Sequence, residues 1–261
     1  MRTLSRCLVV CTTMLILFAL NGCSEENTDP LARIKDAKEI SFAMSGGYPP
    51  FNFYNSDNRL VGFDVDVARE VAQRLGVKFK PVTTEWSGII EGLRSGTYDG
   101  ILGSMAVTQE RLKVVNFSTP YYYSGAQVMI KNGAPYKGAA DLKGKTLGVV
   151  TGTTFAEDAA KLGADDVKLY KDDTQTLMEL NSGVVDGVIT DRVVGVNAIN
   201  SGKFDIGMLG SPLRSEDIAV AFRKGDDSLL NRVNEILTAM HEDGTLSALS
   251  RKWLKADITV R

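Results

Sequence analysis

The sequence predicts an α/β protein made of two similar lobes. The main observation is a repeat, in which LRSGTYDGILGS at 93–104 aligns without gaps on LNSGVVDGVITD at 180–191. Each copy has the pattern of a helix end, a Ser-Gly turn and an apolar strand after Asp-Gly. The second observation is size, because 261 residues with 44% hydrophobic content suffice for two lobes of about 100 residues each. The alternative is ordinary turn chemistry that recurs by chance.

The repeat places Ser104 and Asp191 at equivalent strand ends, where open α/β sheets bind their ligands. Beyond the first of these strands, Thr108 is predicted to cap a short helix whose first turn contains Arg111. A cation there faces the positive end of the helix dipole, and a bound anion would compensate for this. An exposed salt bridge is the alternative. If the lobes face each other, Arg111 and Asp191 together predict a site for a small zwitterion.

The N-terminus has the layout of an export signal. Arg2 and Arg6 precede an apolar run at 7–20, which is shorter than the about 20 residues of a comfortable membrane span. We therefore predict a signal peptide at 1–22.

The tetrapeptide Leu-Asn-Gly-Cys at 20–23 resembles the bacterial lipoprotein cleavage box, in which the cysteine becomes the lipidated first residue. The other two cysteines, Cys7 and Cys11, lie in the apolar run, so the body of the chain has none for a disulfide or a metal cluster. We expect a lipid anchor on Cys23, a tether over 23–37, and an exported protein that faces the periplasm or the cell exterior. A plain secretory signal is the alternative, and the choice of membrane stays open.

The charge balance argues against a nucleic-acid partner. Loss of the leader leaves 28 basic and 32 acidic residues, a net charge of about −4, without a basic stripe. His241, the only histidine, stands beside Glu242 and Asp243 and is interpreted as solvated or as facing a helix dipole. With no reactive Ser-His or Cys-His pair, we predict no catalytic residue, no metal and no cofactor.

The first lobe is predicted from alternating strands and helices. A strand at 40–44 leads to a stiff Gly-Gly-Tyr-Pro-Pro loop that carries Tyr48. Apolar residues at a spacing of four predict a helix that ends at Gly76, and a strand at 77–83 leads to Trp86.

The second lobe opens with a strand, a glycine turn and a helix start at 148–155. Amides at a helix N-terminus suit an anion, and the Gly-Lys-Ser/Thr ending of a phosphate-binding loop is absent. Strands near 124–130 and 217–223 are predicted to cross between the lobes. Helices at 229–240 and 246–254 are predicted to return to the first lobe.

Several of these segments together resemble one protein family. They are YPPF at 48–51, GFDVD at 62–66, GSMAVT at 103–108 with Arg111, GVVTGTT at 148–154, and Asp186 with Asp191. In this order and spacing they resemble the polar amino-acid-binding proteins of bacterial ABC importers, solute-binding family 3, over about residues 38–256. The resemblance implies a type II periplasmic-binding-protein-like fold with two crossing hinge strands. Its lobes would comprise 38–124 plus 217–261 and 125–216.

The resemblance also implies roles for individual residues. Arg111 would bind the α-carboxylate as a bidentate fork, helped by the backbone N–H groups of Ala106 and Thr154. Asp191 would bind the α-ammonium together with Ser104 or the carbonyl of Gly103. The side chain of the ligand would lie among the residues Ser45, Tyr48, Trp86, Phe155 and Thr190. Ala106 replaces the Ser or Thr of many members, so one hydroxyl contact is lost.

The resemblance implies a binding protein that would capture a polar L-amino acid and deliver it to an ABC permease and ATPase complex, and we expect it to be a monomer. A sensor input protein is one alternative. A cyclohexadienyl dehydratase-like enzyme is another, but Val194 occupies the position of the general-acid Glu. Ser45, Phe155 and Thr190 are uncharged, so a cationic side chain would rely on Tyr48 and Trp86, with Glu85 behind them. We therefore expect the ligand to be glutamine, a similar uncharged polar amino acid or arginine, ahead of lysine, histidine, glutamate and aspartate.

Overall fold

The computed structural model describes residues 29–261. The predicted signal peptide and the lipidation site Cys23 lie outside the described residues. In chain order, the strands are β1 (Glu39–Met44), β2 (Gly47–Tyr48), β3 (Asn52–Tyr54), β4 (Leu60–Val61), β5 (Lys78–Thr83), β6 (Gly100–Ile101), β7 (Val115–Lys131), β8 (Thr146–Val150), β9 (Asp166–Tyr170), β10 (Gly187–Asp191), β11 (Ile206–Met208) and β12 (Arg214–Arg223). The helices are α1 (Pro30–Ala37), α2 (Phe63–Leu75), α3 (Ile89–Arg94), α4 (Gln109–Leu112), α5 (Phe155–Lys161), α6 (Asp173–Ser182), α7 (Arg192–Asn200), α8 (Asp227–Glu242) and α9 (Thr245–Leu254).

Two long antiparallel strands join the two halves of the molecule. The order of the large sheet is β5-β1-β6-β12-β7-β10-β8-β9, and β11 also pairs with β7. Strands β1, β5 and β6 are parallel to one another, as are β8, β9 and β10, and β7 and β12 run antiparallel between these groups. Strands β2, β3 and β4 form a separate small sheet. The predicted pair of crossing strands is therefore present.

Each half has its own hydrophobic clusters. In the half that contains β1, the main cluster joins α2, α8 and buried aromatic residues of β7, such as Tyr121 and Tyr122. In the other half, one cluster packs α5 against β8, and another packs α6 and α7 against β10. This arrangement gives the two-lobed α/β fold that the sequence predicts. The exact lobe boundaries, 38–124 plus 217–261 and 125–216, stay a prediction.

The repeat in the sequence corresponds to a repeated contact. The carboxylate of Asp99 accepts from the backbone N–H of Ser41, at 2.8 Å, and that of Asp186 accepts from the N–H of Thr146, at 3.0 Å. Ser41 and Thr146 lie in the first strand of their respective lobes. In each lobe, the Asp of the Asp-Gly pair therefore links the start of the strand that follows it to the neighbouring parallel strand. This shared contact explains why the two sequence segments match.

Some element bounds differ from the prediction. The apolar run after Gly100 forms only a two-residue strand, which ends at Ile101, and Ser104 beyond it adopts a left-handed backbone with φ of 62°. The crossing strands begin earlier than predicted, at Val115 and Arg214. The predicted helix over the first lobe is confirmed, since the residues Phe63, Val67, Val71 and Leu75 are all buried.

Within residues 29–261, no helix combines the length and the hydropathy that crossing a bilayer requires. The same residues contain no cluster of three or more His, Cys, Asp or Glu side chains that would hold a metal ion.

Candidate functional site

A cavity opens between the lobes at the carboxyl ends of strands from both of them. Its empty space is about 570 Å³, including the part that is open to solvent at the mouth. Ten of the eleven residues predicted from the sequence line it, namely Ser45, Tyr48, Trp86, Gly103, Ser104, Ala106, Arg111, Thr154, Phe155 and Asp191. The eleventh, Thr190, is fully buried and donates from its hydroxyl to Asp173 behind the wall.

Arg111 lies in the short helix α4, for which Thr108 is the N-cap as predicted. Its guanidinium donates to the backbone carbonyls of Ala106, at 2.9 Å, and of Gly152 in the other lobe, at 3.2 Å. It has no carboxylate partner among the described residues, so the predicted alternative of a surface salt bridge does not apply there. Since a guanidinium has five N–H donors, three remain for an anion in the cavity. Burial lowers the pKa of Arg111.

Two backbone amides near Arg111 complete an anion site. Ala106 lies in an isolated bridge with Ile218, and Thr154 immediately precedes helix α5. Within residues 29–261, neither N–H group donates to a protein acceptor. Free amides at a helix N-terminus and a guanidinium are both suited to a carboxylate.

Asp191 ends strand β10 and is the N-cap of α7, where its carboxylate accepts from the N–H of Val193 at 2.7 Å. Only 1% of the residue is exposed. Burial and, to a lesser degree, the charge of Glu216 raise its pKa to about 7. Among the described residues, Asp191 forms no ion pair, so a cationic group in the cavity would be its first counter-charge.

Ser104 is held by a buried polar network. Its hydroxyl donates to Asp64 at 2.8 Å, and its N–H donates to the hydroxyl of Tyr121 at 3.0 Å. Asp64 also accepts from Tyr121 and from the amide of Asn52, each at 2.7 Å. Burial raises the pKa of Asp64 to about 6, although these donors oppose the shift. Because the proton of the Ser104 hydroxyl is used by Asp64, the oxygen is left to accept from a ligand.

The aromatic walls come from Tyr48 and Trp86. Tyr48 stacks on Phe51 with a centroid distance of 5.4 Å, and Phe51 stacks in turn on Tyr122 at 5.0 Å. Trp86 is covered in part by Arg111, whose guanidinium carbon is 5.7 Å from the ring centroid. Both rings are thereby fixed before any ligand arrives.

Residues 40–256 match the model of a protein family described as bacterial extracellular solute-binding proteins, family 3. The chain belongs to this family.

Two curated relatives of this family 3 protein have names that state a ligand. The L-cystine-binding protein TcyJ of Escherichia coli K12 is 35% identical over 232 residues, which are 88% of this chain and 87% of the relative. The L-arginine-binding protein of Pseudomonas aeruginosa is 31% identical and covers 85% of this chain and 90% of its own length.

A solved structure confirms the fold of the family 3 protein. It is an ancestral amino acid-binding protein, AncCDT-1, described as a precursor of cyclohexadienyl dehydratase. The TM-score is 0.81 at 32% identity, over 86% of this chain and 99% of the other.

The cavity of the family 3 protein also has charged residues that the sequence reasoning missed, namely Lys171, Asp172, Asp173 and Glu216. The first three directly follow strand β9, so the strand-end rule would have found them had that strand been considered. Glu216 lies at the start of a crossing strand, where no sequence signal marks it. Glu85, expected behind the aromatic walls, instead pairs with Lys171 at 2.9 Å and does not line the cavity.

Glu216 has a partner within the second lobe. Arg214 donates to it at 2.8 Å and forms a bidentate contact with Asp158, while the hydroxyl of Thr154 also donates to Glu216 at 2.8 Å. This network fixes the start of α5 in the family 3 protein, and it gives Glu216 a cationic partner, shared with Asp158, without any ligand.

The family 3 protein is in a closed conformation. Besides Arg111, the indole N–H of Trp86 donates to the carbonyl of Gly152 at 3.3 Å, and the pair of Lys171 and Glu85 also joins the lobes. The cavity is therefore enclosed by contacts between the lobes as well as within them.

Proposed function

We propose that the protein captures a polar L-amino acid between its lobes and delivers it to the permease and ATPase complex of an ABC importer. The observation that carries this proposal is a pair of opposite charges. Arg111 from one lobe and Asp191 from the other face the same closed cavity, and neither has an ionic partner among residues 29–261.

An α-amino acid has the charges that this cavity lacks. Its carboxylate can accept from Arg111 and from the amides of Ala106 and Thr154, while its ammonium can donate to Asp191 and Ser104. Buried charges are costly unless they are paired, so a zwitterion that satisfies both lobes stabilises the closed form. The roles of the eleven predicted site residues belong to this proposal.

Membership of an extracellular solute-binding family supports the transport role. The names of the relatives further support an amino acid as the cargo, since one is called a cystine-binding and the other an arginine-binding protein. We include in the proposal that the protein acts as a monomer, exported and held at the membrane by a lipid on Cys23.

We further propose that the protein is not an enzyme. The position at which the dehydratases of this fold carry a general-acid Glu is occupied by Val194, which is buried in α7. An aliphatic side chain cannot transfer a proton. The curated relatives are named as binding proteins, which supports the same conclusion.

A thermal-shift screen on purified residues 24–261 tests the ligand class. The free amino acids and cystine would each be supplied in large excess. A ligand at 100 times its Kd adds about 2.7 kcal/mol to the free energy of unfolding, which corresponds to a rise in Tm of about 5 to 10 °C. A rise with one or a few amino acids supports the proposal, whereas no rise with any of them contradicts it.

Metabolic labelling with a radioactive fatty acid tests the anchor. The full chain is expected to incorporate label, and Cys23→Ala is expected to abolish it. Cys11→Ala is the matched control, because it removes a cysteine of the predicted leader and should leave labelling unchanged. Equal labelling of the Cys23→Ala variant would refute lipidation at this position.

A further inference from the structure

We propose, on the basis of the function proposed above, that Asp173 forms a subsite for a second cationic centre. The ligand would then carry a positive charge in addition to its α-ammonium group. This places the cargo among amino acids with two cationic groups rather than among neutral ones such as glutamine.

The first step is the charge balance of the cavity wall. Glu216 has a cationic partner in Arg214, which it shares with Asp158, and Lys171 pairs with Glu85, at 2.8 and 2.9 Å. Among the described lining residues, the buried carboxylates without an ion pair are Asp191 and Asp173, whereas Asp172 is partly exposed. A zwitterion compensates Arg111 with its carboxylate and Asp191 with its ammonium, which leaves Asp173 without a counter-charge.

The second step is the burial of Asp173, of which only 5% is exposed. It is the first residue of α6, and the hydroxyl of Thr190 donates to its carboxylate. Within residues 29–261 it forms no ion pair. Burial raises its pKa to about 6, so its ionised form is destabilised as long as the cavity is empty. Its neighbour Asp172 differs, because it is partly exposed and caps α6 by accepting from the N–H of Gln175 at 2.9 Å.

The third step is where Asp173 lies relative to Arg111. The hydroxyl of Thr190, the residue before Asp191, donates to Asp173, so the two carboxylates are close neighbours. A Cβ atom on Gly47, which precedes Tyr48, would lie 3.6 Å from the Cβ of Asp172, so the start of α6 packs beside Tyr48. Arg111 instead contacts Ala106 and Gly152.

Asp173 lies at the border of the cavity. Asp173 and Gly47 line both the cavity and a second groove, which also includes Tyr54 and Thr174. Asp173 is therefore placed to pair with a cation at the end of a side chain whose ammonium is held by Asp191.

Two kinds of amino acid have this chemistry. In a basic amino acid, such as arginine or lysine, the second cation is the end of the side chain. In a diamino dicarboxylic acid, such as cystine, it is the second ammonium, and a second carboxylate accompanies it. Lys171 at the rim would suit that carboxylate, so the two kinds are separable by experiment.

Matched ligand pairs test the second cation without any change to the protein. In isothermal titration calorimetry we expect arginine to bind at least about tenfold more tightly than citrulline, its neutral isostere. If cystine is the cargo, the mixed disulfide of cysteine and cysteamine, which keeps the second ammonium, should bind at least about tenfold more tightly than that of cysteine and 2-mercaptoethanol, in which a neutral hydroxyl replaces this ammonium. A neutral member within threefold of its cationic partner in both pairs would overturn the proposal.

The variant Asp173→Asn assigns the effect to this residue. We expect it to remove the preference for the cationic member of the pair. Asp166→Asn, which makes the same charge change at an exposed position of the same lobe, should retain the preference. A preference that survives in Asp173→Asn would also overturn the proposal.

Lys171→Ala then separates the two kinds of ligand. Weaker binding of cystine with unchanged binding of arginine would indicate a diamino dicarboxylic acid, whereas unchanged binding of both ligands would indicate a basic amino acid. Tight binding of neutral amino acids, with no role for Asp173, would overturn the second-cation subsite but leave the proposed amino-acid transport intact. Failure of every amino acid to bind would instead contradict the proposed function itself.

Discussion

Arg111 is the residue on which the predicted carboxylate site depends. Its guanidinium donates to the carbonyl of Ala106 in its own lobe and lies against Trp86, so it is oriented before a ligand arrives, and closure adds the carbonyl of Gly152. A lysine at this position would offer neither the planar fork nor the stacking.

Arg111→Ala should leave the fold intact and cost about 2 to 5 kcal/mol of binding free energy, because it strands a desolvated carboxylate. Isothermal titration calorimetry with the ligand found in the screen measures this loss. Arg232→Ala is the control, because Arg232 pairs with Glu235 on the exposed face of α8. A loss below about tenfold, or about 1.4 kcal/mol, would show that Arg111 is not the anchor.

At the scale of residues, the sequence locates most of the cavity wall but not its charge balance. Ser104, Arg111 and Asp191 were predictable because each follows a strand end or a helix cap that is visible in the sequence. The counter-charge of Glu216 comes from Arg214 on the same strand, and that of Lys171 from Glu85 in the other lobe. No sequence pattern predicted either ion pair. Only the structure therefore shows that the carboxylate of Asp173 lacks a counter-charge.

At the scale of elements, the entry into helix α2 determines where Asp64 is placed. Gly62 is the N-cap, with φ of 133°, and the N–H of Asp64 donates to the carbonyl of Phe51 at 2.8 Å. A Cβ atom on Gly62 would lie 2.1 Å from that same carbonyl oxygen. The backbone of residues 51 and 52 and the start of α2 therefore pack in a way that only glycine permits.

We expect Gly62→Ala to lower the free energy of unfolding by about 3 kcal/mol or more, through the clash and the loss of the Asp64 network. Urea denaturation followed by circular dichroism measures it. Gly76→Ala is the matched control, because Gly76 is also left-handed, with φ of 78°, but no atom lies within 4 Å of its added Cβ. The control should cost about 1 to 2 kcal/mol. Equal losses in the two variants would refute the role of the close contact.

The elements also show where prediction from sequence fails. The helix α2 is predicted well because its apolar period is regular over three turns. The strand after Gly100 is not, since it already ends at Ile101, and the propensity of Ser does not predict the left-handed backbone of Ser104. The length of β7 was underestimated because residues such as Ser118 and Pro120 interrupt its apolar pattern, although the partner strand β12 continues beside them, with register shifts.

At the scale of the whole molecule, closure without a ligand is unfavourable. The closed cavity buries Asp173 and Asp191 without counter-ions, and burial raises their pKa values to about 6 and about 7. In an open, solvated cleft these groups would return towards the usual value near 4. The ligand therefore acts as the missing counter-ion, and it shifts the population to the closed form by binding that form more tightly.

The expected sign of the pH effect follows from proton binding. Between about pH 4 and pH 7, the closed empty form holds more protons than the open form, so acidification favours closure. We expect the radius of gyration of the ligand-free protein to fall when the pH is lowered from 8 to 5.5, and saturating ligand to produce the smaller radius at both values. Small-angle X-ray scattering measures both effects.

The double variant Asp173→Asn/Asp191→Asn should lose this pH dependence, because neither amide titrates. The double variant Asp165→Asn/Asp166→Asn makes the same change of net charge at exposed positions and should retain it. A compaction that persists in the first double variant would contradict the role of the two buried carboxylates. A radius that saturating ligand does not change at either pH would contradict hinge closure.

The carbonyl of Gly152 accepts from both Trp86 and Arg111, which belong to the opposite lobe. Opening of the lobes must break both hydrogen bonds. The residence time of the ligand is therefore governed by the rate of opening as well as by the contacts of the ligand with the protein. Trp86→Phe removes one of the two donors and keeps an aromatic wall. In stopped-flow fluorescence with a labelled protein, we expect this variant to release its ligand severalfold faster at an unchanged association rate, because closure follows the encounter. For a protein that must surrender its cargo to a permease, the two bonds to this one backbone carbonyl would thus contribute to how long the cargo is held.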